Sequence, residues 1–230
     1  PGNRSAYIVK EAQAVTIGTP PDTREFTTAK AAVAGLPAPM TMAELSRRRD
    51  PNTGTAAANA ATGTPGQPVP APSAQMKEIS AGLFTAQVPS NWTSLQSSSA
   101  IRVVPQNGYG QLKGQTVFTH GVEFGVAKAA SRDLSEATMA WIKAAAQGNS
   151  EIRLDGQPQN ARMSGRTAMA TFLVNPSPLG GTERIAVFTT FLANGNLFYF
   201  MTISPNAEAA PYQNTFLHIG QSIKLTDGGR

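Results

Sequence analysis

Apolar residues recur at the spacing of an α-helix between residues 133 and 148. The stripe consists of Leu134, Ala137, Thr138, Trp141, Ile142 and Ala145. Asp133 stands before it in the position of an N-cap, and Glu136 follows three residues later, as in a capping box. Gly148 ends the pattern. The spacing therefore predicts an amphipathic helix with Trp141 at the centre of its buried stripe.

Runs of β-branched and aromatic residues predict strands on both sides of this helix. They cover residues 83–88, 101–104, 117–127, 167–174, 184–192 and 197–203. Asn194-Gly195 joins the last two as a hairpin, and both are apolar on each face, so they need cover on both sides. A closing helix over residues 211–222 supplies part of it. The predicted fold class is α+β, a mainly antiparallel sheet covered by helices on both faces, in other words an α/β/α sandwich.

Composition divides the chain into three parts. Residues 1–50 contain short helical patterns with few large apolar residues, so they dock elsewhere or stay mobile. Residues 51–75 are rich in Ala, Thr, Gly and Pro and cannot bury enough apolar area to offset their ordering entropy. They are interpreted as a linker. Residues 76–230 form the predicted sandwich domain.

Charge and residue usage exclude several classes of function. The net charge of +5 is spread along the chain without a basic block, which argues against nucleic-acid binding. The longest apolar stretch, residues 197–203, is far shorter than the ~20 residues of a membrane-spanning helix. The absence of cysteine excludes disulfides and thiolate metal sites in this chain.

No motif predicts catalysis or a bound metal. The two histidines, His120 and His218, lack the spacing of a zinc site, and no G-x-S-x-G or HExxH motif occurs. Asp133 and Glu136 are explained by helix capping. We therefore expect no cofactor, no metal and no enzymatic activity, with a hydrolase of unrecognised site as the remaining alternative.

A polar, glycine-rich segment at residues 106–115 carries the two candidate partner-binding residues, Tyr109 and Leu112. An exposed tyrosine on a loop gives a large contact area at low entropic cost. The alternative interpretation is that Tyr109 folds back onto the sheet. The two differ in whether Tyr109→Ala lowers stability or weakens association.

Several motifs resemble the PsbP/Mog-like group. They are FTAQVPSNW (residues 84–92), Gly165-Arg166-Thr167-Ala168, the Asn194-Gly195 hairpin and the closing YQNTFLHIGQSIKL segment. This resemblance implies an α/β/α sandwich and a role in binding or assembly.

A second resemblance covers nearly the whole chain. Four segments are similar to the C-terminal extension of bacterial zinc metallopeptidases related to the CAAX prenyl proteases. They are AYIV (residues 6–9), REFTTAKAAVAGLPAP (24–39), THGVEFGVAKA (119–129) and PLGGTERIAVFTTFLANGNLFYF (178–200). It implies a non-catalytic, extracytoplasmic accessory domain that binds a substrate, a partner protein or its cognate catalytic domain. The alternative is a free-standing secreted or periplasmic PsbP-like assembly protein.

Overall fold

The computed structural model describes residues 62–97, 100–147 and 149–227. The helical segment predicted at residues 1–50 lies outside the described residues, as does the first part of the predicted linker, residues 51–61.

The described residues form thirteen strands and two α-helices. The first seven strands are β1 (Met76–Ser80), β2 (Phe84–Pro89), β3 (Thr93–Gln96), β4 (Ala100–Val104), β5 (Tyr109–Leu112), β6 (Gln115–Phe118) and β7 (Gly121–Ala127). Helix α1 (Leu134–Ala145) follows, and then β8 (Arg153–Leu154), β9 (Gln159–Met163), β10 (Arg166–Pro176), β11 (Thr182–Phe191) and β12 (Leu197–Pro205). A 3-10 turn (Asn206–Glu208) leads into α2 (Ala209–Ser222) and β13 (Lys224–Leu225).

The strands form one large sheet and two small ones. The large sheet has the order β3-β4-β7-β12-β11-β10-β8, with β9 also paired to β10. A second sheet has the order β1-β2-β13, and β5 pairs with β6. Every pairing between these strands is antiparallel. The predicted α+β class with a mainly antiparallel sheet is confirmed.

Strand β12 is buried along its whole length, and its alternate side chains belong to two separate clusters. Phe198 and Phe200 lie in one cluster with Tyr212 and Ile219 of α2. The intervening residues of β12, Tyr199, Met201 and Ile203, lie in the other cluster with Ile142 of α1. Because side chains alternate across a strand, these clusters occupy opposite faces of β12. This explains why the apolar run in the sequence is continuous.

Helix α1 occupies the residues that the apolar stripe predicts. Asp133 accepts a hydrogen bond from the backbone N–H of Glu136, and Ala137, Thr138, Ile142 and Ala145 are buried. Trp141 is half-buried, so the prediction that it is the centre of the buried stripe is wrong. Ile142, which is 6% exposed, takes that place, and Trp141 packs against the edge of the same cluster.

The predicted loop at residues 106–115 and the single strand at 117–127 are also wrong. Strands β5 and β6 form a hairpin whose turn residues, Lys113 and Gly114, both have positive φ, of 50° and 79°. Two-residue hairpin turns require this conformation, but Lys is an uncommon residue in the first position. Strand β7 then begins at Gly121, where φ is 130° and an added Cβ would lie 2.5 Å from the Val103 carbonyl oxygen.

Residues 62–75, which fall in the predicted linker, are tied to the domain by hydrogen bonds. The amide of Thr62 donates to the carbonyl of Tyr109 at 3.0 Å. The side-chain amides of Asn107 and Asn91 donate to the carbonyls of Pro68 and Ala71 at 2.8 and 2.9 Å. The carbonyls of Pro68 and Ala71 lie outside the β-sheets, and the two asparagine side chains supply the donors that a sheet would otherwise provide. Contacts of the domain therefore begin upstream of residue 76.

Phe200 and Trp141 differ in burial, so replacing each by alanine should lower the free energy of unfolding by a different amount. Phe200 is 1% exposed between Phe124 and Phe188, whereas Trp141 is half-buried beside Tyr199, with ring centroids 4.5 Å apart. We expect Phe200→Ala to lower the free energy of unfolding by about 3–5 kcal/mol and Trp141→Ala by about 1–3 kcal/mol. Urea unfolding followed by circular dichroism measures both. An equal or larger loss for Trp141→Ala would contradict the assignment of Ile142 as the buried centre of α1.

Candidate functional site

A cavity of about 420 Å³ opens beside the large sheet, on the face that carries α1. We call it the carboxylate cavity. Its polar lining includes Arg102, Glu123, Asn149, Glu151, Asn175 and Glu183, and its apolar walls include Phe118, Ile152, Ile185, Met201 and Ile203. Three of the lining residues, Glu151, Pro176 and Pro178, are exposed, so the cavity opens to solvent.

Strand register brings the two buried glutamates to this face. Glu123 of β7 lies opposite Met201 of β12, and Val187 of β11 lies opposite Met201 on the other side. Glu183 precedes Val187 by four residues on β11, and residues an even number apart share a face. Glu123, Glu183 and Met201 therefore point to the same side of the sheet.

The carboxylate of Glu123 is paired with a guanidinium and with a hydroxyl donor. Its Oε2 lies 2.6 Å from Nε of Arg102, and its Oε1 accepts a hydrogen bond from the Tyr199 hydroxyl at 2.8 Å. The Arg102 guanidinium also lies over the rings of Tyr109 and Phe118, at 5.5 and 6.0 Å from their centroids. Burial raises the pKa of Tyr199, and the Glu123 carboxylate raises it further, so the hydroxyl remains a donor. Both oxygens of Glu123 are thus occupied.

Glu183 differs, because only one of its oxygens has a partner. Its Oε1 accepts a hydrogen bond from Nδ2 of Asn175 at 2.8 Å, and Asn175 is oriented by Nδ2 of Asn149 at 2.9 Å. Its Oε2 has no hydrogen-bond partner among the described residues, although the side chain is only 4% exposed. Burial raises the pKa of Glu183 to about 7, and the bond from Asn175 opposes this rise. The unpartnered oxygen is itself buried, so its desolvation is not offset by a hydrogen bond.

The two glutamates are too far apart to act as a catalytic dyad. Four residues along β11 span ~13 Å, and two strand spacings span ~10 Å, so their Cα atoms lie roughly 16 Å apart. Side chains on a strand stand roughly perpendicular to the sheet, which preserves most of this distance. Paired carboxyls of glycosidases lie about 5–10 Å apart. This distance excludes a glycosidase-type dyad formed by Glu123 and Glu183.

A second concavity of about 390 Å³ lies on the opposite face, between α2 and strands β9–β12. We call it the aromatic groove. Its floor and walls include Met163, Phe172, Phe188, Phe200, Phe216 and Leu217, with Arg162, Gln213 and Gln221 as polar neighbours. Leu217 of α2 is 58% exposed and lines the groove with the half-buried Phe172, Phe188 and Phe216. The groove therefore presents apolar surface directly to solvent.

The structure places the two predicted contact residues in the β5–β6 hairpin. Both Tyr109 and Leu112 are half-buried. The Tyr109 ring meets that of Phe118 edge-on, with centroids 6.3 Å apart, and its main chain bonds to Thr62. Neither residue lines the carboxylate cavity or the aromatic groove, although Phe118 and Arg102, which Tyr109 contacts, line the cavity.

Sequence reasoning missed Glu123 and Glu183. Each lies in a strand of apolar residues, in GVEFGVA and TERIAVFTTF. A charged residue at a position that alternation assigns to the core is almost never fully buried unless paired. That exception to the pattern was the available signal. The amide partner Asn175 carries no comparable signal, because the bond to Glu183 depends on the pairing of β10 with β11.

The histidines do not join a metal site in the described residues. His218 is exposed on α2. His120 is buried, and its ring nitrogens lie 3.0 Å from the Thr119 hydroxyl and 3.2 Å from Oε2 of Glu208. No group of three or more His, Cys, Asp or Glu residues suited to a metal ion occurs in residues 62–97, 100–147 and 149–227. In the same ranges, none of the helices has the length and hydropathy to cross a membrane.

Glu183 predicts a specific dependence of stability on pH. Since its pKa rises from an ordinary 4.5 to about 7 on folding, the folded protein binds this proton more tightly between these values. The contribution of protonated Glu183 to the free energy of unfolding is complete below pH about 4.5. It is lost as the pH rises through about 7. We expect the wild type to lose ~2–3 kcal/mol relative to Glu183→Gln across this window.

Urea unfolding at a series of pH values measures the difference between the two proteins. The exposed Glu78→Gln variant is the control, since it makes the same change in charge on β1. Wild type and Glu183→Gln curves that run parallel across the window would contradict the assignment.

The contacts of Tyr109 predict that it stabilises the fold. Tyr109→Ala removes the ring that packs on Phe118 and beneath Arg102, so we expect a loss of about 1–2 kcal/mol in the free energy of unfolding. Thermal unfolding monitored by circular dichroism checks this. An unchanged melting temperature would favour the alternative, in which Tyr109 serves as a contact residue for a partner.

No family model matches this chain, and no curated protein matches its sequence. Among solved structures, it is similar to the Ran-binding protein Mog1p of Saccharomyces cerevisiae, at 14% identity and a TM-score of 0.47, over 66% of this chain and 96% of that one. It is also similar to cyanobacterial PsbP from Synechocystis, at 11% identity and a TM-score of 0.47, over 66% and 93%. LpqN of Mycobacterium tuberculosis, involved in cell envelope biogenesis, matches at 12% identity and a TM-score of 0.44, over 66% and 91%. At these values the likeness says nothing about function.

Proposed function

We propose that this chain is a non-enzymatic domain of the α/β/α sandwich kind that binds a protein partner through the aromatic groove. The observation that carries the proposal is the exposure of Leu217, at 58%, beside Phe216 and above Phe188 in an apolar concavity. Contiguous exposed apolar surface on a folded domain marks a site of interaction. An apolar centre with polar neighbours at its edge is also the usual anatomy of a protein interface.

The proposed partner is a cognate catalytic domain, that of an extracytoplasmic zinc metallopeptidase. The support is the sequence resemblance in THGVEFGVAKA (119–129) and PLGGTERIAVFTTFLANGNLFYF (178–200). In that arrangement the chain would position substrate or partner proteins for an enzyme whose zinc ligands lie elsewhere. The alternative is a secreted PsbP-like protein that acts in the assembly of a larger complex.

The coding sequence upstream of Pro1 distinguishes these two proposals. A segment encoding an HExxH helix supports the accessory domain of a metallopeptidase. A signal peptide directly before this chain supports the free-standing secreted protein. A reading frame with neither feature would overturn both assignments.

A substitution in the groove tests the interface. Burying a leucine side chain contributes about 1.5–3 kcal/mol, so Leu217→Ser should weaken binding of the upstream catalytic domain roughly tenfold or more. Titration calorimetry with the separately expressed catalytic domain measures the dissociation constant. Leu154→Ser is the matched control, because Leu154 is 46% exposed on β8 and does not line the groove.

The expected result is weaker binding for Leu217→Ser and unchanged binding for Leu154→Ser. Equal affinities for wild type and Leu217→Ser would place the interface elsewhere on the domain. Equal weakening by both variants would also contradict the proposal, since it would indicate a general effect of removing exposed leucines.

A further inference from the structure

We infer that Asn194 is a site of spontaneous covalent modification, at which the backbone nitrogen of Gly195 attacks the side-chain amide and converts the asparagine to aspartate or isoaspartate. The hairpin turn that carries this pair joins β11 to β12, and neither residue lines the carboxylate cavity or the aromatic groove. The site can therefore be tested without reference to the role proposed for the aromatic groove.

The reaction needs only the chain itself and water. The backbone nitrogen of Gly195 forms a bond to Cγ of Asn194, and the bond between Cγ and Nδ2 breaks. The proton of the attacking nitrogen ends on the leaving group, which departs as ammonia. Water then opens the succinimide ring at either of its carbonyl carbons, which gives aspartate or isoaspartate. Glycine after the asparagine favours the attack, because no Cβ crowds the nucleophile.

The turn leaves the reacting atoms of Asn194 accessible. Asn194 and Gly195 are both exposed. Oδ1 of Asn194 accepts a hydrogen bond from the N–H of Asn196 at 3.0 Å, and a donor at this oxygen stabilises the negative charge that develops on it during the attack. Nδ2 has no hydrogen-bond partner among the described residues, so no bond holds the leaving group. A Cβ added to Gly195 would meet nothing within 4 Å, so water reaches the nucleophile.

One hydrogen bond in the turn opposes the reaction. The N–H of Gly195 donates to the carbonyl of Leu192 at 2.9 Å, and this bond must open before the nitrogen attacks. Single hydrogen bonds contribute little net free energy, and exposed turns open locally without global unfolding. A second bond, from the N–H of Leu192 to the carbonyl of Asn196 at 2.8 Å, continues to close the hairpin. The Gly195 bond therefore slows the reaction without preventing it.

The sequence contains a second Asn-Gly pair, Asn107-Gly108, and the fold protects it. Oδ1 of Asn107 accepts a hydrogen bond from the N–H of Thr64 at 3.0 Å, and Nδ2 donates to the carbonyl of Pro68 at 2.8 Å. Gly108 is buried, and a Cβ added there would lie 2.8 Å from the carbonyl oxygen of His120. Both side-chain hydrogen bonds must break before Cγ of Asn107 meets its nucleophile. The two pairs thus share one dipeptide sequence and differ in their surroundings.

Modification of Asn194 changes a turn that holds the C-terminal residues. The N–H of Ala193 donates to Oδ2 of Asp227 at 2.6 Å, and Oδ1 of Asp227 pairs with Arg166 at 2.6 Å. Either product adds a negative charge one residue from Ala193, and isoaspartate also lengthens the main chain of the turn. The modification therefore falls beside the attachment of Asp227 to the large sheet.

The experiment follows both pairs in one sample of the full chain. The folded protein is incubated in H₂¹⁸O at mildly alkaline pH, so that only asparagines converted during the incubation acquire the label. Digestion with pepsin at acid pH and tandem mass spectrometry then locate the label. We expect label to accumulate at least about tenfold faster at Asn194 than at Asn107, because two side-chain hydrogen bonds hold the latter.

Unfolded protein and a matched variant serve as controls. In guanidinium chloride both pairs lose their surroundings, so Asn107 and Asn194 should acquire label at similar rates. Asn194→Gln lengthens the side chain and moves its amide carbon away from the nitrogen of Gly195. This variant should abolish labelling of the turn and leave the rate at Asn107 unchanged, with an unchanged circular dichroism spectrum as evidence of folding.

Three results would overturn the proposal. They are equal rates at Asn107 and Asn194 in the folded protein, no label at Asn194 in folded protein when both pairs react in guanidinium chloride, and labelling of the turn peptide that Asn194→Gln leaves unchanged. If Asn194→Gln does not fold, the comparison of folded and unfolded wild type decides the question. Loss of partner binding by Leu217→Ser bears only on the aromatic groove.

Discussion

Complete burial of β12 is the constraint on which the rest of the domain depends. All nine of its residues are buried, so both faces of the central strand must be covered. Phe198 and Phe200 pack with residues of α2, and Tyr199 and Met201 pack in the cluster that includes Ile142 of α1. The neighbouring strands β7 and β11 pair with β12 along most of its length, which satisfies its backbone groups without water. Residues of β12 also reach both concavities, since Met201 lines the carboxylate cavity and Phe200 lines the aromatic groove.

The parts of the fold governed by local periodicity could be predicted from the sequence. Helix α1 follows from its capped apolar stripe, and the Asn194-Gly195 turn joins β11 to β12 as expected. The β5–β6 hairpin could not be predicted in the same way, because its Lys113-Gly114 turn lacks the usual residue pair. Likewise, nothing in the composition of residues 62–75 shows that Asn91 and Asn107 hold this segment.

The candidate site was harder to predict, because it depends on strand order. Glu123 and Glu183 are 60 residues apart in the sequence and share a face only because β7 and β11 flank β12. The sequence indicates each as a charged residue among apolar ones, but it does not indicate that Arg102 neutralises one and that Asn175 reaches the other. Burying Glu183 with one unpartnered oxygen costs stability, because that oxygen loses its hydration without gaining a donor.

The hydrogen bonds at Thr62 tie the segment before β1 to the β5–β6 hairpin. The chain upstream of the domain reaches the sheet through Thr62, whose amide and carbonyl bond to Tyr109 and Asn107. Phe118, paired with Tyr109 across the hairpin, lines the carboxylate cavity and lies against Arg102. Thr62, the hairpin and the wall of the cavity are therefore joined by a continuous series of contacts.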